Sequence, residues 1–382
     1  MGYNSPLILK RLLAAVALGL SVSVTAIAAD KDVLETTSME TELAPSSLLL
    51  DVATAGKRLV AVGQRGHIIY SDDEGKSWSQ AQVPVATLIT AVTFADDKNG
   101  WAVGHGAVIL NSKDGGESWQ KQFDGNVANE MVIAQAQKRI TNLEDAVANA
   151  PEDQAADLEG QLEEAHYGLE DAEFDAEVGP SKPLLDVWFR DQNTGFVVGA
   201  YGFFFKTEDG GQTWTNWGAR LDNPERFHLN AIGQVTGGAL FVVGEAGIIF
   251  RSTDLGESWE MLESPYDGSF FGVSGNGNVN EVLVYGLRGH LFYSQDVGES
   301  WDQVNTDAEE TLMSVAIGDK GNLAVVGNSG IMMLSNNYGE TFRTHTREDR
   351  LSLLGAKFLT ADSLLLVGEG GVSIIRGISN LN

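Results

Sequence analysis

Gln64, Arg65, His105, Tyr201, Glu245, Arg288, Asn328 and Glu369 share one kind of position. Each lies within two residues of a Val-Gly or Tyr-Gly pair, at Gly63, Gly104, Gly199, Gly244, Gly286, Gly327 and Gly368. These residue types allow two chemistries. Arginines that hold a carboxylate, a tyrosine nucleophile and acid/base glutamates would suit glycoside hydrolysis. The same side chains, carried on tight loops, would equally make a polar recognition surface. The catalytic reading lacks its motifs: the chain has no Arg-Ile-Pro motif, no nucleophile elbow, no P-loop and no HExxH. It has no cysteine, and His67, His105 and His290 lack the short spacing of a metal site. Recognition without catalysis, metal or cofactor is therefore the expectation. A receptor-like ligand-binding protein and a glycoside hydrolase remain the alternatives.

The elements that must carry these loops repeat. Ser71-Asp72-Asp73-Glu74-Gly75-Lys76-Ser77-Trp78 returns at 112–119, 207–214, 252–259 and 294–301, with a worn copy at 335–342. This is the Asp-box, with Asp73, Asp114, Asp209, Asp254 and Asp296 as its acids and Trp78, Trp119, Trp214, Trp259 and Trp301 as its aromatics. Its chemistry is structural: the carboxylate accepts backbone N–H groups in an Asx-type turn, glycine takes positive φ, and tryptophan brings apolar area between units. The Gly pairs are spaced by 41, 95, 45, 42, 41 and 41 residues. Short apolar strands at that period predict an all-β, seven-bladed β-propeller over residues 30–382. The last unit stops before a box. Residues 32–42 are expected to supply its missing fourth strand and so close the ring.

The spacing of 95 holds an insertion, taken as 126–179, between the second and third units. Ile133, Ala136, Ile140, Leu143 and Val147 follow helical spacing, as do Ala155, Leu158, Leu162, Ala165, Leu169 and Ala172 beyond Pro151. That pattern predicts an antiparallel, coiled-coil-like α-helical hairpin. Residues 128–178 carry 14 acidic and 2 basic side chains. Alternation of the loops places the hairpin on the Gly-loop face, beside Arg65, Tyr201 and Arg288.

Net charge is −28, which argues against nucleic acid as a partner and against anionic lipid. Lys10-Arg11, an apolar run to Ile27 and the Ala26-Ile27-Ala28 site make residues 1–29 an expected export signal. The mature chain is then periplasmic, with no lipid insertion. The repeated Val-Gly-x-x-Gly followed by an Asp-box resembles the photosystem II stability and assembly factor family. More loosely, the boxes are similar to the BNR repeats of sialidases and sortilin-like receptors. The resemblance implies a non-enzymatic propeller that binds protein and assists a membrane or envelope complex. Among bacterial relatives, it implies association with RND-type exporters.

Overall fold

The computed structural model describes residues 32–381; the expected leader lies outside the described residues. The chain is mostly β. It forms seven antiparallel sheets, at residues 49–80, 89–123, 184–216, 229–261, 270–303, 312–346 and 353–376, here sheets 1 to 7. Six have four strands in chain order, and sheet 7 has three. Each first strand lies against the first strand of the next sheet, and residues 353–360 return to Leu49–Ala55, so the arrangement is propeller-like. Second strands such as Arg58–Gly63 and Leu240–Gly244 are almost continuously buried, as strands covered on both faces must be.

One apolar cluster fills each junction. Val60 and Val62 of sheet 1 meet Ala102, Val108 and Trp119 of sheet 2, and Leu365 and Val367 of sheet 7 meet Leu49 and Ile69 of sheet 1. Residues 32–42 do not complete sheet 7, contrary to the sequence reading, because they form no strand. The segment lies instead over the junction of sheets 1 and 2. Ser38 donates its N–H to the Val83 carbonyl and Ala86 to the Val33 carbonyl, while Leu34 is buried in the junction cluster. The segment is polar apart from Val33, Leu34 and Met39, so one buried leucine decides where it docks.

The boxes form one repeated turn. Ser71 Oγ donates to Asp73 Oδ1 and accepts from the Gly75 N–H at 2.9 Å. Asp73 then accepts from the Ser77 N–H at 2.9 Å and from Ser77 Oγ at 2.7 Å. The worn copy keeps the turn with Asn337 in place of the acid. Burial of the aromatics is less uniform than expected. Trp119 and Trp214 are buried, whereas Trp78, Trp259 and Trp301 are half-buried. Each packs against the preceding sheet.

Around the axis, polar side chains clasp one sheet to the next. Asp51 accepts the Val92 N–H of sheet 2 and Asp186 the Ile232 N–H of sheet 4, both at 2.9 Å. Thr90 donates to the Leu184 carbonyl and Asn230 to the Phe270 carbonyl, each at 2.8 Å. These residues line a narrow central cavity of about 370 Å³.

The two kinds of aspartate respond to pH with opposite signs. Removal from bulk water, reinforced by the Asp51 charge, pushes Asp186 up to about 7. Hydrogen bonds from Ser77 and Ser258 hold Asp73 and Asp254 at about 2. A carboxyl raised by folding favours the fold as pH falls from about 7 to the unfolded value of about 4. A carboxyl depressed by folding stabilises in full above that value, and the gain is lost as pH falls from about 4 to 2. The expected thermal midpoint therefore rises on mild acidification and collapses below about pH 4. A midpoint that falls steadily from pH 7 would contradict this.

Candidate binding site

Two helices stand on the loops of sheets 2 and 3. Helix α1 spans Gly125–Asn149 and helix α2 spans Glu152–Val178. They pack on each other through Ile140, Ala165 and Ala172. Asp124 caps α1 by accepting the Asn126 N–H at 3.0 Å, satisfying a helix-end donor that would otherwise lack a partner. Lys121 holds Asp124 at 2.9 Å and also pairs with Glu35. Ala128, Met131 and Val132 enter the cluster shared by sheets 2 and 3. A side chain at Gly125 would collide with Pro180, its Cβ 2.6 Å from the Pro180 Cβ. Lys182 pairs with Asp175 of α2 and lies 5.2 Å from the Tyr201 ring centre. The hairpin is thus tied to the Gly-loop face at both ends.

Six of the seven Gly-loops are tight turns with a left-handed residue pair; the loop of sheet 7 has positive φ at Gly371 alone. Arg65, Tyr201, Ala246, Arg288 and Ser329 take φ of 54–57°, and the glycine that follows each also has positive φ. At Gly66 a Cβ would stand 2.1 Å from the Val85 carbonyl oxygen, so a neighbouring connection needs that glycine. In sheet 2, Ala107 takes the corresponding place at φ 50°. The geometry turns Tyr201 outward, 53% exposed.

Of the eight residues expected to form the site, the structure joins two. The Tyr201 ring lies 5.0 Å from His228, edge to face, and His228 Nδ1 lies 2.8 Å from Glu245 Oε2. Glu245 also accepts the His228 N–H at 3.1 Å. Glu369 does the equivalent in sheet 7, accepting the Ser352 N–H at 3.1 Å. Both glutamates therefore brace their own loops. Arg288 lines a separate hollow with Asn305 and Glu309. Gln64, Arg65, His105 and Asn328 stay on their own loops; the Arg65 carbonyl accepts Ser38 Oγ at 2.9 Å. Burial lowers the pKa of His105. The hairpin has Tyr201 beside it, with Arg226, Lys182 and Arg139 around a cleft of about 620 Å³. Arg226 and Lys182 carry no repeat signature and were not foreseen.

A ring of seven sheets with a loop surface and a projecting arm defines a propeller-like fold; no group of three or more potential metal ligands occurs among the described residues. The family model described as photosynthesis system II assembly factor YCF48 matches residues 74–144 and 172–304, over half of the chain. The chain belongs to that family. It is 28% identical over 133 residues to the photosystem II stability/assembly factor HCF136 of Arabidopsis thaliana, a match spanning 32% of this chain and 33% of that protein. A structure described as YCF48 bound to D1 peptide superposes with a TM-score of 0.60 at 14% identity, covering 87% of this chain and 93% of that one. A GH74 enzyme of Niastella koreensis superposes at 0.59 with 12% identity, covering 87% and 53%. These superpositions speak to fold.

Proposed function

We propose that this chain is a seven-bladed propeller of Asp-box repeats that acts as a non-catalytic scaffold for a membrane or envelope protein complex. It works in the periplasm after loss of residues 1–29, and an RND-type exporter is the partner class to test first. The observation that carries this reading is the hairpin, fixed at its base beside Tyr201 of the Gly-loop face. A relative caught with a bound peptide supports protein as the ligand. The acidic arm favours a basic partner surface, an attraction that salt screens.

The likeness to a GH74 enzyme keeps glycoside hydrolysis as the second reading. That chemistry needs two carboxyls facing one another across a sugar. Glu245 and Glu369 each hold the backbone of their own loop, in sheets 4 and 7, which weighs against it. Tagged full-length protein, isolated from solubilised membranes, is expected to bring down subunits of one membrane complex. Recovery should fall as salt rises from about 0.1 M to 1 M, where the screening length shrinks from about 10 to 3 Å. Salt-independent recovery of no membrane protein, together with release of sugar from a polysaccharide, would favour the enzyme.

A further inference from the structure

The hairpin leaves one helix face uncovered. On α2, Tyr167, Phe174 and Val178 are 58%, 65% and 61% exposed. Their spacing of seven and four residues returns them to one side of a helix. Ala165 and Ala172, buried in the seam, lie on the opposite side. Glu163, Glu170 and Glu177 run along one edge of this stripe, and Glu164 and Asp171 along the other. All five carboxylates are exposed, and none has a basic partner within ion-pair distance among the described residues. Helix α2 contains no lysine or arginine.

We propose that this stripe docks in an apolar groove rimmed by lysine and arginine on a partner protein. The proposal rests on the scaffold reading and names the chemistry of its partner. An amphipathic helix laid in a groove presents anchors at such spacings, and buried aromatics carry a large share of interface energy. Charge selects the occupant. A second copy would bring two arms of 14 acidic and 2 basic residues together, and an anionic lipid surface would repel the same carboxylates. A basic rim pairs with both acidic rows while the groove floor covers the three apolar side chains.

The test uses the purified chain and a double variant, Tyr167→Ala with Phe174→Ala. Both sites are exposed, so helix content by circular dichroism should be unchanged. The probe is a fluorescein-labelled synthetic helix of about 18 residues with leucine on one face and lysine on the other. A scrambled peptide of the same composition controls for charge alone. The double variant is expected to bind the amphipathic probe at least about tenfold more weakly and the scrambled peptide equally well. Equal affinity of both proteins for the amphipathic probe would overturn the proposal. So would stripe-dependent binding to phosphatidylcholine vesicles, or stripe-dependent dimerisation in sedimentation. In cells, loss of membrane co-purification by the double variant supports the stripe. Retention by the double variant, with loss on excision of the whole hairpin, overturns the stripe and leaves the scaffold reading standing.

Discussion

Trp119→Ala is expected to destabilise the ring by about 3–5 kcal/mol, the cost typical of truncating a large buried aromatic. Trp119 is 4% exposed and sits between sheets 1 and 2 with Val60, Val62 and Leu110. Its ring meets Phe94 edge to face at 6.0 Å, and its Nε1 donates to the Gly116 carbonyl at 3.1 Å. Truncation opens a void at a junction of two sheets whose backbones are fixed by their ladders, so collapse is limited. The same change at half-buried Trp78 or Trp259 should cost less. Chemical denaturation of the variants checks the order. A cost at Trp119 within about 0.5 kcal/mol, as for surface changes, would show that the junction does not depend on it.

Leu34→Ala is expected to cost about 2–5 kcal/mol, although it lies in a segment without regular structure. Leu34 is 2% exposed. A side chain on Gly106 would come within 2.9 Å of its Cδ2, so backbone forms part of its nest. The segment also reaches the hairpin base, where Lys121 Nζ donates to the Leu34 carbonyl at 3.1 Å. Removing residues 32–42 should therefore lower the melting temperature of the whole ring, through the junction of sheets 1 and 2. An unchanged melting temperature would mean that the segment merely lies on the surface.

The repeat was legible because three independent signals coincide at one period: a Gly pair, a box and an apolar strand start. The hairpin was legible from a change of period from two to helical spacing. The role of residues 32–42 was not, since one leucine in a polar run does not say which junction it fills. The axial clasps were also missed. In the sequence Asp51 and Asp186 are single acids between leucine and valine in short apolar runs. Their signal was a carboxylate among apolar neighbours, which burial tolerates only when hydrogen bonds receive it. Among the loop residues, sequence position alone did not separate Glu245 and Glu369, which brace backbone, from Tyr201, which faces outward. That difference depends on whether the connecting segment offers an N–H to the carboxylate, a property of the folded loop.

The scaffold reading is tested most directly by replacing the hairpin with a short Gly-Ser linker between Asp124 and Pro183. Loop-closure cost grows slowly with length, and six of the seven junction clusters contain no hairpin side chain, the cluster of sheets 2 and 3 with Ala128, Met131 and Val132 being the exception. Circular dichroism should therefore report a folded β protein with its helical signal lost. Co-purification of membrane-complex subunits should drop to background. A trimmed chain that folds and still recovers the same partners in full would contradict the account, because the arm would then play no part in binding.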